Sequence, residues 1–133
     1  MIDVTITACN RPDLLLTTVR SFLQFADLPI GNIYVFEDSC LPGINDEVKK
    51  EFPQLIFIEP ETKAGQLKAL DILISNVKTE YWMALEEDWT FDKTGFMSKS
   101  LDILQNNAHI SEVWLRYPKE RNGHPCHGIA QSG

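Results

Sequence analysis

An α/β fold, a three-layer α/β/α sandwich around a mostly parallel sheet, is what this sequence predicts, and two observations predict it. Short β-branched or aromatic runs alternate with longer segments of helical period in the order β-α-β-α-β-α-β. Parallel neighbours need long crossover connections, usually helices, so the alternation reads as a parallel sheet covered on both sides. The run Tyr81 to Leu85 (YWMAL) is apolar, the composition of a strand buried on both faces.

Asp3 to Cys9 is rich in β-branched residues and predicts the first strand. Pro12 stands where it can open a helix and Asn10 where it can cap it. Leu15, Val19, Phe22 and Leu23 recur at helical spacing and predict one buried face, fading near 27–29. Asn32 to Glu37 reads as the second strand, the run 38–45 as a turn, and Asp46 to Phe52 as a short helix. Leu55 to Glu59 reads as the third strand. Leu67, Leu70, Ile74 and Val77 mark a second long helix before YWMAL. Phe96 to Gln105 predicts a further helix and Glu112 to Tyr117 a further strand, and 118–133 reads as loop.

The chain has 133 residues, enough for one domain with a real core. Its net charge of -7 argues against broad nucleic-acid binding, which needs clustered Lys and Arg against phosphates. An acidic protein that binds a phosphate compound needs a basic pocket, a helix N-terminus or a cation to offset the repulsion. Cys9, Cys40 and Cys126 are scattered and odd in number, so a reducing compartment is expected. No apolar stretch approaches the ~20 residues that cross a bilayer. A cytoplasmic protein without a transmembrane segment is the expectation.

Glu86, Glu87 and Asp88 directly follow the YWMAL run, where a parallel sheet delivers side chains to a ligand crevice. Three adjacent carboxylates repel one another, and a hard divalent cation, Mg²⁺ or Mn²⁺, relieves this while sharing phosphate oxygens. The plainer alternative is a solvated acidic turn. Asp38 after the second strand and Thr7 to Arg11 after the first add two more polar loops at the same sheet edge.

VTITACNRPDLLLTTVRSFL, IYVFEDSC and KAGQLKALDILISNVKTEYWMALEEDW, in that order and spacing, resemble the family 2-like glycosyltransferases of GT-A fold. The resemblance implies a nucleotide-sugar-binding core over 1–117, with 118–133 a loop or the start of an acceptor-binding region. It also implies that Thr7, Ala8, Cys9, Asn10 and Arg11 line the nucleoside pocket and that Asp38 accepts hydrogen bonds from the base. Lys63, Gly65 and Gln66 would approach the nucleotide, and Glu87 would lie near the ribose or metal. Asp88 would be the main metal ligand and Glu86 its partner. The implied activity is metal-dependent transfer, with inversion, from a nucleotide diphosphate-sugar to an acceptor hydroxyl on a glycan, protein or lipid. UDP-sugar is the favoured donor. Cys9 stands where relatives often carry a stacking aromatic, and Glu-Glu-Asp replaces a pair of aspartates. Relatives continue into an acceptor region that supplies the base, so this chain is expected to be a piece of something longer or to be completed by another chain.

His124, Cys126 and His127 lack the paired, separated spacing of zinc motifs and read as a loop, or as a contact to the donor diphosphate. Asp92, Glu120 and His127 are candidate bases by position alone. Trp82 and Trp114 read as core, and Trp89 either as core or as a wall of the donor pocket. Lys49, Lys50 and Glu51 read as a solvated helix face. Two other functional classes share this outline: a noncatalytic nucleotide-sugar-binding module, and a metal-dependent phosphotransfer domain resembling response regulators.

Overall fold

In a computed structural model of the chain, which describes residues 1–115, the elements run β1 (Ile2–Ala8), α1 (Pro12–Phe25), β2 (Ile30–Glu37), α2 (Asp46–Glu51), β3 (Ile56–Ile58), α3 (Gln66–Asn76), β4 (Trp82–Glu86) and α4 (Phe96–Asn106). The strands form one sheet in the order β3-β2-β1-β4, and every pairing is parallel, as expected from the intervening helices. Ala8 lies opposite Glu37 and Thr7 opposite Glu86, so the C-terminal ends of three strands share one edge.

Strand alternation sorts the core into two layers. Val4, Ile6 and Ala8 of β1, Ile33 and Val35 of β2 and Leu85 of β4 pack against Leu15, Val19 and Phe22 of α1, Val48 of α2 and Met97 of α4. Tyr34 and Phe36, pointing the other way, pack against Ala69 and Leu73 of α3. Full burial of a side chain such as Leu15, Val19 or Phe22 contributes roughly 1.5–3 kcal/mol, so the helical face read from the sequence anchors the larger layer.

Pro12 opens α1, where its missing N–H costs nothing. The expected cap Asn10 does not cap it. Arg11 is the N-cap residue and makes no side-chain cap bond, while Asn10 sits in the left-handed region at φ 57°.

The second long helix buries a different stripe from the one its leucines suggested. Ala69 and Leu73 face the sheet, whereas Leu67 and Ile74 are exposed. A one- or two-position rotation on a helix of 3.6 residues per turn is enough to change the face. Small Ala69 suits close approach to Tyr34 and Phe36.

β4 is buried on one face only. Leu85 is enclosed and Met83 packs against the larger core layer, but Trp82, Ala84 and Glu86 are exposed. The cause is lateral: α3 lies against β1 and β2, leaving that face of β4 uncovered by it. Trp82, expected in the core, is therefore 43% exposed, and Trp114 is 57% exposed. Trp89 does join the core, packing at its margin with its ring 6.4 Å from Phe91. The strand expected over 112–117 is not formed in its described part, 112–115, and its last two residues lie outside the described residues, as do Glu120, His124, Cys126 and His127. Lys49 and Glu51 of the solvated helix face are engaged in ion pairs with Glu59 and Arg20.

Candidate nucleotide site

The sheet reverses its order at β1, with β2 and β3 on one side and β4 on the other. In open α/β sheets the ligand crevice lies outside the carboxyl ends of the strands at such a reversal. The ends of β1, β2 and β4 and the loops that leave them there carry Thr7 to Arg11, Asp38, and Glu86 to Asp88.

Main-chain bonds tie these loops together. The Asp38 N–H donates to the Ala8 carbonyl at 2.9 Å and the Glu87 N–H to the Thr7 carbonyl at 3.2 Å. The Thr18 hydroxyl of α1 donates to the Glu87 carbonyl at 2.7 Å, fastening the end of β4 to the first helix.

The three acids after β4 do not form one cluster. Glu87 follows Leu85 to the α1 side, is 5% exposed, and accepts the Arg11 Nε–H at 2.8 Å, with Nη2 of Arg11 also on its carboxylate. Glu86 points to the opposite face and is exposed, as is Asp88. The hydrogen bond and charge of Glu87 raise the Arg11 pKa above its ordinary value, and the charge of Asp88 adds to this. Arg11 thus pairs with a buried acid, and the charge of an exposed one also bears on it. Among the described residues no group of three or more His, Cys, Asp or Glu side chains gathers as a metal cage.

The acids after β2 are enclosed. Asp38 is 8% exposed, and its Oδ1 and Oδ2 accept the N–H groups of Ala64 at 2.7 Å and Gly65 at 3.0 Å. This carboxylate secures the entry to α3, where Gly65 takes φ 84°, a conformation that favours glycine. Lys63 and Gln66 on either side are exposed, and Cys9 is half-buried.

Glu37, expected only as the end of the second strand, is almost fully buried and accepts N–H donors from Asn10, Ser39 and Asn45. Burial pushes its carboxyl up, but the hydrogen bonds from Asn45, Asn10 and Ser39 together outweigh that and hold it below the ordinary carboxylate value. A signal was present: Glu37 continues the inward register of Ile33 and Val35, and a carboxylate sent inward has to find donors.

A cleft of about 350 Å³ opens at the ends of β2 and β3, lined by Glu37, Cys40, Leu41, Lys49 and Glu59 among others. Arg11, Glu86 and Asp88 are not part of its lining. It flanks the reversal point on the β2 side, and the carboxylates and guanidinium lie at the β1–β4 side.

No protein-family model and no curated protein matches the chain. Solved structures do. Staphylococcus aureus TarS matches over 80% of this chain and 20% of its own, at 16% identity and a TM-score of 0.63. TarS 1-349 in complex with UDP matches over 81% of this chain and 33% of its own, at 14% identity and a TM-score of 0.64. The same protein in complex with UDP-GlcNAc gives 81%, 32%, 14% and 0.65. The chain therefore spans a third or less of the length of these structures. Among the described residues no helix is long and apolar enough to cross a membrane. With its parallel sheet and flanking helices, the chain has the α/β fold of the GT-A glycosyltransferases.

Proposed function

We propose that this chain is the donor-binding portion of a glycosyltransferase that moves a sugar from a nucleotide diphosphate-sugar, a UDP-sugar first, to an acceptor hydroxyl with inversion. The observation that supports this most is the meeting of the β1, β2 and β4 loops at the sheet's reversal point, with Arg11 paired to Glu87 there. The UDP and UDP-GlcNAc complexes of TarS support the donor class. The order 3-2-1-4 also favours a nucleotide-binding sheet over a response-regulator-like one, whose order is 2-1-3-4-5.

In this reading Thr7, Ala8, Cys9 and Asn10 line the nucleoside pocket. Asp38 keeps lone pairs for the base beyond those given to Ala64 and Gly65, because an ionised carboxylate has about four acceptor sites. Lys63 and Gln66 approach the nucleotide from the start of α3. Arg11 spends two nitrogens on Glu87 and turns its remaining N–H donors to the diphosphate, for which a guanidinium's planar fork is suited. Glu87 serves the site through Arg11, holding that fork in place.

Mg²⁺ or Mn²⁺ fits the donors present. Asp88 and Glu86 are exposed carboxylates that would offer it oxygen ligands, too few for a cage, and these ions complete their shells with substrate phosphates and water. Bound there, the ion supplies Lewis-acid stabilisation of the leaving diphosphate. The acceptor hydroxyl, on a glycan, protein or lipid, also needs a carboxylate base.

Calorimetry with UDP and UDP-sugars, in Mn²⁺ and after chelation, tests the reading. UDP-sugar affinity that falls on chelation is the expected result. Absence of UDP affinity in both conditions sinks the reading, and affinity indifferent to chelation removes the metal from it.

A further inference from the structure

Glu37 has no part in the donor contacts above, yet it is only 2% exposed. A buried charge is costly unless it is paired or hydrogen-bonded. Its Oε2 accepts the Asn10 N–H at 3.0 Å and the Ser39 N–H at 3.1 Å, and its Oε1 accepts Asn45 Nδ2–H at 2.9 Å. The donors come from the β1–α1 loop, the β2–α2 loop, and the residue just before α2.

Both loops are held in unusual backbone conformations at these contacts. Asn10, itself a donor, has φ 57°, and Cys40, next to the donor Ser39, has φ 61°. Non-glycine residues stay in the left-handed region where their surroundings over-determine it. Hydrogen bonds to an ionised acceptor are about twice as strong as neutral ones, and here one carboxylate oxygen serves both loops. Asp38 lies between Glu37 and Ser39, so its main chain is fixed on both sides.

We infer that Glu37 is a positioning residue, whose carboxylate holds the β1–α1 and β2–α2 loops in the arrangement that presents Thr7 to Arg11 and Asp38 to the donor nucleoside. The inference rests on the nucleotide-sugar reading. A carboxyl held below its ordinary value by these donors accords with it, because the charged form persists at neutral pH.

Glu37→Gln keeps the shape but replaces one acceptor oxygen by a donor, and Glu37→Asp keeps the charge but shortens the reach. Amide hydrogen exchange and UDP calorimetry on wild type and both variants test the inference. In Glu37→Gln, exchange at Asn10 and Ser39 should rise and UDP binding weaken, each by about tenfold, while Val4 to Ile6 and Val35 stay protected. Glu37→Asp should fall between wild type and Glu37→Gln in both measurements. UDP affinity in Glu37→Gln within about twofold of wild type overturns the inference. So does protection lost across β1 and β2 as much as in the loops, which would make the role one of general stability. If Glu37→Gln does not fold, Glu37→Asp decides: faster loop exchange with unchanged UDP affinity overturns the inference, and weakening of both sustains it. A wild type with protected loop amides but no UDP affinity overturns the nucleotide reading instead, while exchange in Glu37→Gln still tests the loop-holding contact.

Discussion

Two acidic stations stand on the same edge of the sheet, Glu37 and Asp38 at the end of β2, and Glu86, Glu87 and Asp88 at the end of β4. After β2 both acids are enclosed and their oxygens accept N–H donors from neighbouring loops. After β4 only Glu87 is enclosed, paired with Arg11, while Glu86 and Asp88 face solvent. The difference follows from lateral position. β2 lies between β1 and β3 with helices on both faces, whereas β4 pairs on one side only among the described residues and α3 does not cover it. Charged residues at a strand end thus differ in their surroundings: at the end of β2 they fasten loops, and at the end of β4 Glu86 and Asp88 stay open to solvent.

Removing the enclosed acids should test that division most severely. Glu37→Ala leaves three N–H donors without their acceptor, and an unsatisfied buried polar group costs about 1–3 kcal/mol. Some donors will find water, so a total loss of about 3 kcal/mol is expected in urea unfolding at unchanged m-value. The same acid gives a pH signature. Its folded-state pKa lies below the ordinary 4.5, so its contribution is present above that value and is lost as pH falls through the folded pKa. Wild type should therefore lose stability below pH 4.5 more steeply than Glu37→Gln. Parallel acid limbs for the two proteins would show that Glu37 does not carry this linkage.

Asp38→Ala is the next step down. It frees the N–H groups of Ala64 and Gly65 just before α3, two donors rather than three, and a hydrogen bond contributes about 0.5–1.5 kcal/mol net. If instead Asp38→Ala proves as costly as Glu37→Ala, enclosure rather than the number of donors governs the β2 station.

The contrast between the stations also marks what the sequence could disclose. The fold was legible because its signals are local: β-branched runs, Pro12, and the helical spacing of Leu15, Val19 and Phe22 each act through a few neighbours. The parallel pairing followed from connection length. Lateral order is not local. YWMAL reads as doubly buried on composition, yet its exposure depends on where α3 comes to rest, and Trp82 is outside for that reason. The position of the candidate site, at strand ends, was legible too. Its internal division was only partly so: Asp38, Glu86, Glu87 and Asp88 were visible, but strand alternation separates Glu86 from Glu87, and the Arg11–Glu87 pair joins residues 76 apart. Glu37 escaped notice because an acid at the end of a strand resembles a surface residue until its register with Ile33 and Val35 is followed.

The smallest effect on stability is expected from Asp88→Ala, and it bears on function most directly. Asp88 is exposed, and surface substitutions away from special features change stability by at most about 0.5 kcal/mol. Its charge does act on Arg11, but Arg11 has its hydrogen-bonded partner in Glu87 and keeps it in the variant. An exposed acid whose charge bears on the Arg11 guanidinium near the reversal point is open to a ligand. Donor binding in the variant should therefore lose its difference between Mn²⁺ and chelator, because one of the two open carboxylates proposed for the cation is gone. Asp88→Asn keeps the shape and an oxygen but not the charge, and should retain a reduced cation effect. Urea unfolding and calorimetry on the same samples separate the two quantities. A large stability loss in Asp88→Ala would place this acid with the loop-fastening residues of β2, and an undiminished cation effect would leave the β4 station as a solvated turn.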